Sequence, residues 1–239
     1  MNKDLIKGIS HGIPIMLGYL SVSFGIGIMA VRAGITPFQA TMISLTNLTS
    51  AGQAAGIGII ASAGTLVEMA LVQFTINLRY ALMSLSLSQK LDKKKFTLPK
   101  RLLASYGITD EIFAVCSAQK EPLTPAYMYG MILIATAGWV AGTILGAEAG
   151  SILPKAVTDA MGIVLYGMFI AIFIPPIRKH KNVLFTISAA AALSILFRYA
   201  IKAVSAGFAI IICAVIASAA AAVLFPIDDS SSDESEAAE

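Results

Sequence analysis

The sequence carries few charged residues. Asp, Glu, Lys and Arg make up 13% of the 239 residues, whereas hydrophobic residues make up 57%, and the mean hydropathy is +0.80. A soluble domain needs more polar groups than this, because its whole surface faces water. The scarcity of charge therefore excludes an ordinary soluble domain and predicts an integral membrane protein that lies in a lipid bilayer.

Cysteine and histidine are scarcer still. Cys116 and Cys213 lie in apolar surroundings without the spacing of metal ligands, so we expect neither a disulfide framework nor a zinc site. The two histidines, His11 and His180, stand where the edges of loops are expected. No catalytic nucleophile or metal-ligand set is evident, and we expect no metal, no cofactor, no enzymatic activity and no nucleic-acid partner.

Long charge-free runs indicate several membrane crossings. They cover residues 12–31, 33–67, 122–147, 160–177 and 203–227. Most of them reach the roughly 20 residues with which a helix spans about 30 Å of hydrocarbon. The first run is too long for a signal peptide, so we expect an uncleaved first helix. The pattern predicts an all-α polytopic bundle of about seven or eight hydrophobic segments.

The end of the chain differs in composition from the rest. Residues 228–239 read DDSSSDESEAAE and contain no large apolar side chain. Such a segment has nothing to bury, so we expect a disordered acidic tail. Residues 1–227 are then expected to form a single transmembrane domain.

Basic residues indicate which loops lie in the cytoplasm, because Lys and Arg are enriched in loops on that side. Residues 90–101 hold five lysines and Arg101 against Asp92, residues 178–181 read RKHK, and the N-terminus carries Lys3 and Lys7. We expect all three segments to lie on the cytoplasmic side of the cell membrane.

This orientation leaves one hydrophobic block that cannot cross the membrane. Two blocks, 33–67 and 69–89, separate the first helix from the basic loop, and only one of them can be a simple crossing. The block 33–67 is too long for one span and carries polar residues and a glycine at its middle, namely Asn47, Thr49, Ser50, Gly52 and Gln53. We expect two half-helices of about fourteen residues that meet at 50–52 as a re-entrant hairpin, because irregular backbone at membrane depth must be covered by protein or water.

A second broken element is expected at residues 102–119, which are too polar for an ordinary span. It would match the first in an inverted repeat, although no sequence repeat is visible. Paired interrupted segments point to the binding site in many transporters.

Arg79 lies at the middle of the block 69–89, where an unpaired charge costs about 2.5–3.5 kcal/mol. The residues on one helical face of this block are polar, and they are Gln73, Asn77, Tyr80, Ser84 and Ser88. Thr75, Arg79 and Ser86 lie on a neighbouring face. Two interpretations remain open, since Arg79 either pairs with an acid only to hold helices together or lines a translocation pathway.

Asp110 and Glu111 are adjacent acids in an apolar region, and they also admit two interpretations. They could lie in the first turn of a helix, where the helix dipole stabilises carboxylates by about 0.3–1 kcal/mol. Alternatively, one acid pairs with Arg79 and leaves the other for an ammonium group or a proton. We expect Asp110 to be the partner, because Tyr106, Asp110 and Ser117 could share one polar helical face.

The stretch NLTSAGQAAGIG at 47–58 admits two interpretations as well. Gly52, Gly56 and Gly58 could permit close helix packing, as small residues do in membranes. Alternatively, the break exposes backbone N–H groups of the second half-helix, which could bind a substrate carboxylate.

The chain resembles the AzlC family in four motifs, which are SAGQAA at 50–55, NLRYALMSLSL at 77–87, YGITDEIFAV at 106–115 and GWVAGTILG at 138–146. Members of this family are large subunits of two-component branched-chain amino acid permeases, regarded as exporters, that work with a small hydrophobic membrane subunit, AzlD. The chain departs from the family pattern at Ala54, where an aromatic residue is expected, and at Tyr80, where histidine is frequent.

The resemblance implies export of leucine, isoleucine, valine or analogues through a two-subunit complex. The motif positions that it marks are Gly52, Gln53, Asn77, Arg79, Asp110 and Glu111. Together with Asn47 at the predicted break, they are the candidate substrate-binding or translocation residues. Two other functions remain as alternatives, namely a structural or regulatory membrane subunit and a membrane-embedded enzyme that uses Asp110 or Glu111.

Overall fold

The computed structural model describes residues 3–152, 154, 181–201 and 204–226. Helices account for the regular structure in this part of the chain, and one isolated β-bridge joins Leu91 to Leu123. The helices are α1 (Lys3–Arg32), α2 (Pro37–Thr46), α3 (Ser50–Ala61), α4 (Leu66–Ser88), α5 (Leu98–Ser105), α6 (Asp110–Ser117), α7 (Pro125–Ile152), α8 (Lys181–Tyr199) and α9 (Ala206–Leu224).

The chain divides into two compact units, residues 1–168 and 169–239. The first unit contains α1 to α7. The second contains α8 and α9, which pack against each other and bring the rings of Phe185 and Phe225 into an edge-on contact at 5.6 Å. The candidate site lies within the first unit.

The helix lengths confirm an all-α membrane protein. Four helices of the described residues, α1, α7, α8 and α9, are long and apolar enough to cross a membrane. The 23-residue helix α4 is long enough but carries Glu68 and Arg79. The predicted span at 160–177, the acidic tail at 228–239 and most of the RKHK cluster lie outside the described residues.

Helices α1 and α7 form the core of the first unit and run parallel. Glycines allow their backbones to touch, since a Cβ at Gly8 would lie 2.0 Å from the carbonyl oxygen of Tyr127, and one at Gly146 would lie 2.0 Å from that of Phe24. Low residue numbers of α1 meet low residue numbers of α7, so both helices begin on the same side of the unit.

The end of α4 lies on this same side. The carbonyl of Lys90 accepts a hydrogen bond from the backbone N–H of Leu123 at 2.9 Å, and the Asp92 N–H donates to the Leu123 carbonyl at 2.9 Å. Lys7 of α1 lies 4.0 Å from Glu121, just before α7. We call this side, which carries Lys7 and the loop 89–97, the basic face.

Helices α2 and α3 form a re-entrant hairpin. Because α1 leads away from the basic face and α4 leads back to it, the segment between them does not cross. Gly52 and Gly56 of α3 pack against Gln73 and Met69 of α4, so α3 runs antiparallel to α4 and away from the basic face. The predicted hairpin is therefore confirmed, although its half-helices have 10 and 12 residues. The break lies at 47–49, not at 50–52, because Thr49 caps α3.

Helices α5 and α6 form a second hairpin that enters from the basic face. The Tyr129 hydroxyl, near the start of α7, donates to the Lys100 carbonyl at 3.0 Å, which places the start of α5 there. The Lys90 ammonium donates to the Ser117 carbonyl, which places the end of α6 there as well. The segment α1 to α3 and the segment α4 to α6 thus have the same order and opposite orientations, which is the inverted arrangement considered from the sequence.

Candidate functional site

The site lies where the two hairpins meet. The Tyr106 hydroxyl, at the end of α5, donates to the Leu45 carbonyl in α2 at 2.6 Å. The second half-helix of each hairpin begins with a buried threonine cap. Thr49 Oγ1 accepts from the Gly52 N–H at 3.3 Å, and Thr109 Oγ1 accepts from the Ile112 N–H at 3.4 Å. The positive dipole ends of α3 and α6 therefore lie inside the first unit.

A chain of polar side chains on α4 connects the two half-helix starts. The Tyr80 hydroxyl donates to Thr49 Oγ1 at 3.3 Å, and Arg79 Nη2 donates to the Tyr80 hydroxyl oxygen at 3.2 Å. The same Arg79 nitrogen lies 3.0 Å from Asp110 Oδ2. Residues of α3, α4 and α6 are thus joined in one network.

The ion pair confirms Asp110 as the partner of Arg79, but the reason given from the sequence was wrong. Tyr106 does not share a helical face with Asp110, because the backbone is broken at 106–109 and α6 begins at Asp110; Ser117, seven residues further along α6, does share that face. The capping interpretation also holds, since both acids occupy the first turn of α6 behind Thr109. Asp110 therefore has two favourable partners, the guanidinium and the helix dipole.

Glu111 is held by a residue that the sequence did not single out. The Tyr19 hydroxyl lies 2.6 Å from Glu111 Oε2 and 2.5 Å from Thr109 Oγ1. Its ring is buried and meets Trp139 of α7 edge-on at 5.3 Å. Tyr19 lies in the charge-free run of α1. The sequence feature that could have indicated its role is a phenolic hydroxyl midway along a helix long enough to span the membrane.

Gln73 and Asn77 extend the network along α4. The Gln73 side-chain amide donates to the Gly52 carbonyl at 2.7 Å, and the Asn77 amide donates to Gln73 Oε1 at 3.0 Å. Asn77 Oδ1 is buried and has no hydrogen-bond partner among the described residues. The C-terminal part of the predicted polar face of α4 does not join the site, because the hydroxyls of Ser84 and Ser88 donate hydrogen bonds to backbone carbonyls of α4 itself.

Gln53 holds the first break together. Its amide donates to the Asn47 carbonyl at 2.6 Å, and its oxygen accepts from the Ser44 hydroxyl at 3.2 Å. Ser44 in turn lies 2.7 Å from Thr143 Oγ1 of α7. Gln53 is 2% exposed. Gln53 and the Asn47 backbone therefore fix the shape of the hairpin and tie it to α7.

The glycines of α3 support the packing interpretation at two of three positions. A Cβ at Gly52 would lie 2.5 Å from Thr49 Cγ2 and 2.7 Å from Gln73 Oε1. At Gly56 it would lie 3.2 Å from Gln73 Nε2, whereas nothing lies within 4 Å at Gly58. Gly52 and Gly56 thus allow α3 to approach α4, and Gly58 has no such role.

The remaining sequence candidates lie apart from this network. His11 lies inside α1 and not at a loop edge, and its Nδ1 is 2.8 Å from the Tyr127 hydroxyl. Cys116 and Cys213 are buried free thiols. Within the described part of the chain, no three His, Cys, Asp or Glu side chains are grouped as metal ligands would be. His180 lies outside the described residues.

The charges of the site suit a molecule that carries both signs. The Arg79 and Asp110 side chains are 45% and 43% exposed within the structure. Asp110 compensates Arg79, so Glu111 is left with a neutral hydroxyl partner. The cluster can therefore accept a cation or a proton at Glu111, while Arg79 and the half-helix starts attract an anionic group.

The AzlC protein family model matches residues 14–153, which include the two hairpins and all seven predicted site residues. The chain belongs to the AzlC family. This confirms the resemblance seen in the sequence and places the chain among membrane proteins of a family associated with transport and not with catalysis.

Two relatives of this family member are membrane proteins by name. The inner membrane protein YgaZ of Escherichia coli (strain K12) is 26% identical over 196 residues, which are 79% of this chain and 80% of YgaZ. An uncharacterized membrane protein of Archaeoglobus fulgidus is 31% identical over 176 residues, which are 72% of this chain and 75% of that protein. No solved structure shows significant similarity to the chain.

Proposed function

We propose that this AzlC-family protein is a secondary transporter that exports branched-chain amino acids, namely leucine, isoleucine, valine or analogues. The observation that supports this most strongly is the meeting of two broken helices around Arg79, Asp110 and Glu111. Transporters with inverted repeats bind substrate near the middle of the membrane, at the interrupted helices.

The substrate carboxylate binds at Arg79 and the start of α3 in this proposal. Nη2 of Arg79 contacts both Asp110 and Tyr80, and Tyr80 reaches Thr49 at the start of α3. A half-helix start adds a positive dipole end without a further charged residue. An anionic group beside Arg79 would also compete with Asp110 for the guanidinium, which couples substrate binding to the ion pair.

The substrate ammonium group binds at Glu111. The Glu111 carboxylate has a hydroxyl partner, Tyr19, and Glu111 is exposed in the described structure. An ammonium group supplies the opposite charge that Asp110 already receives from Arg79. A proton is the other species that Glu111 can take up, so the same residue is where we expect coupling to pH.

A small hydrophobic subunit resembling AzlD completes the permease in this proposal. On the first unit, α4 presents an exposed apolar row formed by Leu71, Phe74, Leu78, Leu82 and Leu85. This row runs beside Arg79, whose charge at membrane depth is costly against hydrocarbon. A partner helix along α4 would cover both the row and the ion pair.

Transport by the purified protein tests the proposal directly. The full-length chain is placed in liposomes loaded with unlabelled leucine, with and without its small partner subunit, and uptake of labelled amino acid by counterflow is measured. We expect counterflow of leucine, isoleucine and valine, and none of lysine or glutamate. If the complex exchanges none of the branched-chain amino acids, the proposed function is wrong and a structural or regulatory role gains support.

A further inference from the structure

A half-open cavity of about 180 Å³ lies beside the basic face, away from the Arg79 network. The last turns of α4, the helix α5 and Met128 at the start of α7 border this cavity. Leu87, Leu91, Leu102 and Ile108 make most of its wall apolar, and Arg101 is the charged residue of its lining.

The polar groups of the wall are already engaged. The Ser84 hydroxyl donates to the Tyr80 carbonyl at 2.7 Å, Ser88 to Leu85 at 2.6 Å, and Ser105 to Leu102 at 2.7 Å. Each serine therefore gives its proton to its own helix, and the cavity presents a largely aliphatic surface with one cation. None of the residues that line it is acidic.

Arg101 has no hydrogen-bond or ion-pair partner for its guanidinium among the described residues. The one acid of the adjacent loop, Asp92, lies 3.3 Å from the Lys95 ammonium and is compensated there. The cavity therefore combines an apolar interior with an uncompensated positive charge at the edge of a lysine-rich loop.

The surroundings of the cavity suit the boundary between hydrocarbon and water. Leu98, Leu102 and Leu103 of α5 are each more than 60% exposed, and the same short helix carries Lys100 and Arg101. Exposed apolar side chains and basic side chains on one short helix suit a position at a membrane interface.

We propose that this cavity binds an anionic phospholipid, with its acyl chain against the leucine wall and its phosphate at Arg101. Basic pockets between membrane helices bind the head groups of anionic lipids. A zwitterionic amino acid fits less well, because no carboxylate lines the cavity to receive its ammonium group. The inference does not depend on the proposed transport function.

Lipid binding to the full-length protein tests this site. The delipidated protein is titrated with phosphatidylglycerol or phosphatidylcholine, and bound lipid is counted by native mass spectrometry. We expect preferential binding of phosphatidylglycerol, and we expect Arg101→Gln to weaken it about fivefold, since it removes the ion pair between the guanidinium and the phosphate, and an exposed ion pair contributes up to about that much. Lys93→Gln also removes one positive charge, from the loop that precedes α5, but Lys93 does not line the cavity, and this change should leave the binding unchanged.

A second pair of variants tests the acyl-chain part of the cavity. Ser88→Leu places a larger side chain inside it, whereas Ser86→Leu makes the same change on the same helix at an exposed position outside it. We expect the first to reduce phosphatidylglycerol binding and the second to leave it unchanged.

Four results would overturn the proposal. One is wild-type phosphatidylglycerol binding by both Arg101→Gln and Ser88→Leu, and another is an equal loss in Lys93→Gln, which would indicate general surface charge. Competition by glycerol phosphate as strong as by the whole lipid would indicate a free phosphate site. Displacement of the lipid by leucine would assign the cavity to the transport pathway.

Discussion

At the scale of single residues, Arg79 and its two acidic neighbours are not equivalent. Asp110 lies 3.0 Å from the guanidinium, whereas Glu111 is held by the hydroxyl of Tyr19. The adjacent acids therefore face different partners, although the sequence places them in one helical turn. This difference allows their structural and functional contributions to be separated by mutation.

Replacing Arg79 by Ala should destabilise the protein, because it leaves Asp110 without a compensating charge at membrane depth. Loss of one partner from a fully buried pair costs about 3–5 kcal/mol, and we expect less here since both side chains are half exposed. The double variant Arg79→Ala with Asp110→Asn should recover most of this stability but not transport. Thermal unfolding in detergent measures the stability of these variants, and leucine counterflow measures their transport. Equal stability of Arg79→Ala and wild type would contradict this account.

Replacing Glu111 by Gln should impair transport without unfolding the protein. The amide keeps an acceptor for Tyr19 but removes the charge that we assign to the substrate ammonium or a proton. We expect a loss of at least about tenfold in transport, because a hydrogen bond to a charged group contributes about 1.5–3 kcal/mol. The dependence of transport on pH should also weaken. If Asp110→Asn and Glu111→Gln both transport leucine at the normal rate and pH dependence, the acids serve only as helix caps.

At the scale of elements, the two hairpins were predictable in outline. The basic residues of the N-terminus and of 90–101 required that one hydrophobic block between them does not cross the membrane. In the structure this block is the hairpin formed by α2 and α3. Its break was misplaced by about one turn, because polar residues extend from Asn47 to Gln53 and composition alone does not reveal that Thr49 caps α3. Tyr19 was missed because its partners, Thr109 and Glu111, are 90 and 92 residues away.

The contact between α3 and α4 gives a matched pair of glycine variants. Gly52→Ala should destabilise the protein by about 1–3 kcal/mol, since its Cβ would overlap Thr49 and Gln73. Gly58→Ala in the same helix meets open space and should be neutral or slightly stabilising, because alanine favours helices by up to about 1 kcal/mol. Thermal unfolding in one detergent compares them. An equal effect of both changes would mean that α3 does not pack on α4 as the structure shows.

At the scale of the whole molecule, the first unit contains two segments, α1 to α3 and α4 to α6, that have opposite orientations within one chain. Helices α1 and α4 run in opposite directions, and a hairpin follows each of them. Each hairpin enters from the face at which the preceding long helix ends, and it returns to that same face. The half-helix starts meet at the same depth because the two hairpins enter from opposite faces. The sequence could suggest this inversion only through loop charge and helix interruption, since its two halves share no visible repeat.

The direction of the whole molecule in the membrane remains a prediction, and labelling can test it. The N-terminus and the loop 89–97 share the basic face, and the excess of lysine there predicts that this face is cytoplasmic. Single cysteines are introduced at Lys94 on this face and at Ser62 on the opposite face, both exposed, in a protein without Cys116 and Cys213.

In intact cells, a membrane-impermeant maleimide should modify the cysteine at 62 and not the one at 94, and permeabilised cells should show both. The reversed pattern would place the basic face outside. Modification of both positions from the same side would be more serious, because it would contradict the odd number of crossings between them. The α2–α3 hairpin turns back before the basic face, so α4 alone separates positions 62 and 94.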